Sequence, residues 1–117
     1  MLELDAKSDR VQMALAYARQ NLHERLSLSK LAEAARLSAR QFTRVFRAET
    51  GQSPAKAIEN LRLEAARLML EQGRLSAEEI ARATGFGDRE RMRRSFLRTF
   101  GQTPQSIRNA SHRLAAF

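Results

Sequence analysis

The 117-residue chain has no cysteine and no tryptophan, and its aromatic side chains are six phenylalanines and one tyrosine. Without thiols there is neither a disulfide framework nor a thiolate metal site, and such a chain is indifferent to a reducing compartment, so a cytoplasmic protein is expected. The two histidines, His23 and His112, lie far apart and belong to no metal-ligand spacing. They read as surface residues, and no metal or other cofactor is expected. Long apolar runs are missing too. Near the start, Met13 to Ala18 is the longest stretch free of charged or amide side chains, far short of the roughly 20 residues a membrane span needs. Glu3, Asp5 and Lys7 stand where a signal peptide would place its apolar region. No membrane partner is therefore expected.

Catalytic constellations are also lacking. Gly85-Phe86-Gly87 has neither the third glycine nor the preceding strand of a dinucleotide-binding loop, and reads as a turn. Glu78 and Glu79 sit side by side at the start of an expected helix, where negative charge suits the helix dipole. An enzyme is not expected.

Charge is present in excess. Lys and Arg total 21 against 13 Asp and Glu, a formal charge of +8, which points to a polyanionic partner. The length is that of one compact domain, which buries roughly two thirds of its unfolded surface.

The second half of the sequence echoes the first. At an offset of 50, Arg44 falls on Arg94, Phe46 on Phe96, and Gly51-Gln52-Ser53-Pro54 on Gly101-Gln102-Thr103-Pro104. Upstream the offset is 49, with Leu31-Ala32 on Ile80-Ala81 and Leu37 on Phe86, so one extra residue sits near Gly87. Similarity at a fixed period indicates a duplicated supersecondary unit. Each unit reads as two helices. Ser27 caps a short helix through about Ala35, and Ser38 opens the next with Gln41 at the capping-box spacing. Ser76 with Glu79 repeats that box, and Asp88 caps the following helix. Ser53-Pro54 and Thr103-Pro104 are cap-plus-proline starts. Pro54 to about Glu71 forms a long central helix of roughly 27 Å at 1.5 Å per residue. An opening helix from about Asp9 to Asn21 makes seven. Met1 to Ser8 and Ser111 to Phe117 read as loosely held ends. No strands are expected, and the fold class is all-α, with a first helix-turn-helix subdomain over 9–52, a linker helix over 53–73 and a second subdomain over 74–111.

On a helical wheel the stripe Phe42, Val45, Phe46 and Glu49 leaves Arg40, Thr43, Arg44 and Arg47 pointing outward. In the second unit the stripe Met92, Ser95, Phe96 and Phe100 leaves out Glu90, Arg93, Arg94 and Leu97, with Arg89 at the helix start. The phenylalanines sit at core spacing and are not base-stacking platforms. Two similar polar surfaces on the second helix of each unit are what a helix-turn-helix presents to a major groove. Arginine forks match guanine, glutamate accepts from cytosine, and threonine bonds bases or touches a thymine methyl. The base-reading set is therefore Arg40, Thr43, Arg44, Arg89, Glu90 and Arg93. Arg47, Arg94 and Arg98, further along their helices, are placed for phosphates. Arg89, Arg91, Arg93, Arg94 and Arg98 crowd within ten residues and repel one another unless an anion relieves them. Docking on an acidic protein partner and non-specific architectural DNA binding are the other readings; docking requires no duplication.

The pattern Leu31-Ala32, Ser38, Phe42, Arg44, Phe46, Gly51, Ser53-Pro54, Arg62-Leu63, Ala66, Leu70, Ile80-Ala81, Gly85-Phe86, Met92, Phe96, Gly101, Thr103-Pro104 resembles the AraC/XylS DNA-binding domain from about Val11 to Arg108. The sequence departs from the family at Met92, usually aromatic or leucine, at Ile107 in a Tyr-Arg pair, and at Leu97, commonly basic. The resemblance implies two homeodomain-like subdomains joined by the central helix, reading two successive major grooves of double-stranded DNA with Arg40, Thr43 and Arg44 and with Arg89, Glu90 and Arg93. It implies transcription regulation, often activation, with RNA polymerase as a partner. Most members carry a separate effector-binding or dimerisation domain, which is missing here: the chain reads either as an excised fragment, favoured by the linker-like first eight residues, or as a single-domain member that works as a monomer. The Gly-Phe-Gly-Asp-Arg-Glu-Arg-Met-Arg-Arg stretch resembles members whose N-terminal partner is a glutamine-amidotransferase-like domain.

Overall fold

The computed structural model describes the backbone of residues 2–115 and the side chains of 9–114. Among these residues there are seven helices and no strand: α1 (Leu2–Gln20), α2 (Leu28–Ala34), α3 (Ala39–Thr50), α4 (Pro54–Gln72), α5 (Ala77–Ala83), α6 (Arg89–Phe100) and α7 (Pro104–Ala115). The boundaries follow the expected chemistry. The hydroxyls of Ser27, Ser38 and Ser76 accept from the N–H groups of Lys30, Gln41 and Glu79, and the Asp88 carboxylate accepts from that of Arg91. Gly51 and Gly101 close α3 and α6 in the left-handed conformation, at φ 73° and 69°, where a side chain would crowd the following carbonyl.

Both ends depart from expectation. Helix α1 begins at Leu2 rather than Asp9, so residues 2–8 are helical. Helix α7 continues through Ser111 to Ala115. Leu2, Glu3, Leu4, Ala6 and Lys7 are strong helix formers, and no glycine or proline interrupts them. The expectations for Met1, Ala116 and Phe117 lie outside the described residues.

The chain divides into two compact units, 1–58 and 59–117, with the division inside α4. In the first, Val11, Ala14 and Ala18 of α1, Leu31, Ala32 and Ala35 at α2, and Phe42 and Phe46 of α3 are buried. In the second, Leu63, Ala66 and Leu70 of α4 form one core with Ile80, Ala81, Met92, Phe96 and Ile107. The spacing of Val11, Ala14 and Ala18 recurs in Leu63, Ala66 and Leu70, at a constant offset of 52. Buried Pro54 and Ala57 recur as buried Pro104 and Ile107. Helix α4 thus supplies the closing helix of the first copy and the opening helix of the second.

Candidate nucleic-acid interface

In the first unit a capping box sets where α3 starts. Ser38 Oγ accepts from the Gln41 N–H at 3.2 Å and Gln41 Oε1 accepts from the Ser38 N–H at 3.1 Å, so two otherwise orphaned donors are satisfied reciprocally. Phe42 and Phe46, with ring centroids 5.4 Å apart, bury one face of the helix. Glu49, placed on the same stripe by the wheel, is exposed instead, as the cost of burying an unpaired carboxylate requires. The other face carries Arg40, Thr43, Arg44 and Arg47, which line one open depression of about 770 Å³ with Leu28, Ala39 and Ala48. Thr43 is half-buried, and its hydroxyl donates to the Ala39 carbonyl at 2.9 Å. Among the described residues no carboxylate pairs with Arg40, Arg44 or Arg47. Among the described residues, the positive charge of this face is unpaired.

In the second unit Asp88 Oδ1 accepts from the Arg91 N–H at 2.8 Å at the start of α6. Met92, Ser95 and Phe96 are buried and Phe100 is half-buried. Arg89, Glu90 and Arg93 line a depression of about 420 Å³ with Ala77, Thr103, Pro104 and Gln105. The arginine cluster meets carboxylates of the protein itself. Glu90 Oε1 lies 3.4 Å from Arg93 Nη1 and 3.9 Å from Arg94 Nε, Asp88 Oδ2 lies 3.6 Å from Arg91 Nε, and Glu59 Oε2 lies 2.7 Å from Arg98 Nη2. The pairs of Arg91, Arg93 and Arg94, exposed on both sides, contribute at most about 1 kcal/mol each, so they temper the repulsion while leaving these three guanidiniums free to exchange partners.

The structure brings Arg40, Thr43, Arg44 and Arg47 together in one depression and Arg89, Glu90 and Arg93 in another. Arg94 and Arg98 line neither. Arg98 is tied toward α4, where Glu59 also accepts from the buried Ser95 hydroxyl at 2.8 Å. Sequence reasoning missed Leu28 and Ala77, which stand at the first position of α2 and α5 and line the two depressions. Their offset of 49 matches the repeat and could have revealed them. It noted Arg62 only within the family pattern and missed its role: Nε donates to the Thr84 carbonyl at 3.1 Å, and burial lowers its pKa. This bond fixes the end of α5, just ahead of the turn that launches α6. Among the described residues, no group of three or more His, Cys, Asp or Glu could hold a metal ion, and no helix is long and apolar enough to cross a membrane.

The sequence and the fold have counterparts among known proteins. A family model described as a helix-turn-helix domain matches residues 31–110. An HTH-type transcriptional regulator of Mycobacterium tuberculosis, Rv1931c, is 45% identical over 83 residues, 71% of this chain and 32% of that protein. The HTH-type transcriptional activator RhaS of Pectobacterium carotovorum is 33% identical over 99 residues, 85% of this chain and 36% of its own length. The chain thus spans about a third of the length of these relatives. Among solved structures, the DNA-binding domain of AdpA in complex with a target DNA superposes with a TM-score of 0.82 at 32% identity, covering 88% of this chain and 93% of that one. An AraC-type regulator from Chromobacterium violaceum gives a TM-score of 0.83 at 29% identity, covering 89% and 93%. With the family model matching more than half of its residues, and with two units each holding a capped second helix behind an open basic depression, the chain belongs to the AraC-type helix-turn-helix family.

Proposed function

We propose that the chain is a sequence-specific duplex-DNA-binding module of a transcription regulator, with α3 and α6 entering successive major grooves. The observation that carries this reading is the duplicated arrangement: the second helix of each unit has a start fixed by a side-chain cap and an exposed polar stripe at the same repeat positions. Arg40, Thr43 and Arg44 read bases in one groove, and Arg89, Glu90 and Arg93 in the other. Glu90 releases Arg93 to meet a cytosine amine while the arginine turns to a guanine. Arg47, Arg94 and Arg98 serve phosphates. The printed description of the AdpA domain, bound to its target DNA, supports the same use of this fold. RNA polymerase as a partner, a cytoplasmic setting, the absence of catalysis, and an effector or dimerisation domain elsewhere in the full-length protein complete the proposal, in keeping with relatives more than twice as long.

The test is binding to duplex DNA across salt concentrations, with preferred and random sequences. With ~6 to 8 phosphates neutralised, log K should fall against log salt with a slope of about −5 to −7. Arg40→Ala and Arg93→Ala should each cost about 1–3 kcal/mol on the preferred site and relax one base position, while Arg47→Ala weakens all sequences alike. A slope near zero would mean the basic faces dock on something other than DNA. Equal loss on preferred and random duplex for all three variants would leave architectural binding in place of sequence reading.

A further inference from the structure

Helix α6 carries one apolar side chain on its outer face. Leu97 is 38% exposed, four residues on from Arg93 and seven from Glu90, so these three share a stripe along the helix. Arg93, Arg94 and Arg98 surround it in sequence. At the same repeat position α3 carries Arg47, which lines the first depression with Arg40, Thr43 and Arg44. A single exposed leucine is ordinary on a protein surface. Its place on this stripe is what distinguishes it, because the neighbouring positions are those proposed to face base edges.

An arginine there can compensate for the water it displaces by bonding a phosphate or a base. A leucine cannot: it offers no donor or acceptor, and pressed against polar base edges it would strip their hydration without return. The major groove contains one apolar group it can meet, the C5-methyl of thymine. We propose that Leu97 is a specificity-determining residue that selects thymine at one position of the second groove by apolar contact with that methyl. This rests on the proposed reading of α6 as a base-reading helix. It makes the two stripes chemically unequal: the first ends in a cation that tolerates any sequence, and the second ends in a group that reads one base.

The experiment uses the sequence most enriched by the parent protein from a random duplex library. Each thymine of that duplex is replaced in turn by uracil, which removes only the methyl. For the parent, uracil at one position should weaken binding by about fourfold, the worth of burying one methylene-sized group. For Leu97→Ala the same replacement should have no effect, and the thymine preference at that position should flatten in a fresh selection. Leu97→Lys should also lose the preference but steepen the salt slope by about 1, as an added phosphate contact does. Circular dichroism melts establish that both variants are folded. If no uracil replacement weakens the parent, or if the penalty persists undiminished in Leu97→Ala, the proposal is overturned while sequence-specific binding stands. A parent that enriches no sequence at all overturns both the proposal and the reading beneath it.

Discussion

The two units carry out one folding plan with different local solutions, and the turn before each reading helix shows it best. In the first, the chain leaves α2 through Arg36 at φ 59°, and the Leu37 N–H bonds the Ala32 carbonyl at 2.9 Å. In the second, Gly85 takes the equivalent left-handed position at φ 86°, and the extra residue, Gly87 at φ 91°, bonds the Ala81 carbonyl at 3.1 Å. The inserted glycine takes over the bond that closes the turn. The second unit is tied across helices by side chains: Arg62 to the Thr84 carbonyl, Arg108 to the Leu75 carbonyl, Ser111 to the Glu71 carbonyl, and Glu59 to Ser95 and Arg98. A duplicated fold thus tolerates exchange at its turns while keeping its caps and apolar positions, because those decide where the reading helices start and which way they face.

The largest expected effect separates the two cores. Phe42→Ala and Phe96→Ala each remove a fully buried ring and should destabilise by about 3–5 kcal/mol. Amide hydrogen exchange should locate the loss: faster exchange in α2 and α3 for the first variant, in α5 and α6 for the second. Equal loss of protection in both halves from either variant would show that the units unfold as one.

A smaller effect tests the turns. Arg36→Gly should raise stability by about 0.5–1 kcal/mol by relieving a left-handed backbone, and Gly85→Ala should lower it by about 1 kcal/mol or more. Denaturant melts of the two variants would show whether the positions are equivalent; a loss of stability in Arg36→Gly would mean that the Arg36 side chain contributes more than its backbone costs.

The smallest concerns pH. The box at the start of α5 is closed by Glu79, whose carboxylate accepts from the Ser76 N–H at 3.2 Å, while the box of α3 is closed by neutral Gln41. Bonding from the Ser76 backbone, then from its side chain, lowers the Glu79 pKa from its ordinary value. With the folded pKa depressed, the contribution is complete above the ordinary glutamate range and is lost as pH falls through the lowered value. On acidification, the protection of the Ser76 amide, measured against its intrinsic exchange rate, should fall before that of Ser38, and Glu79→Gln should abolish the difference.

Much of this architecture is legible in the chain because its signals are local. A serine or aspartate three residues ahead of the amide it accepts from marks α2, α3, α5 and α6 directly, and the repeat identifies the paired stripes without any structure. The features that escape are those without a neighbour in sequence. Glu59 reaches Ser95 and Arg98 across 36 and 39 positions, so nothing near it predicts that a carboxylate on the central helix holds one arm of a reading-helix arginine. The start of α1 escapes for another reason: charged helix formers without an apolar period look the same in a helix as in a linker. Glu49 escapes because a wheel reports direction but not the cost of desolvation.

The double membership of α4 bears on any attempt to take the protein apart. Cutting at Gly51 would leave the first copy without Pro54 and Ala57, and cutting at Gly73 would leave the second copy without Leu63, Ala66 and Leu70. Each copy takes its own residues from a different part of the same unbroken helix. Pieces that keep α4 whole are overlapping fragments, 2–72 and 53–115, whose combined length exceeds that of the described chain by the stretch they share.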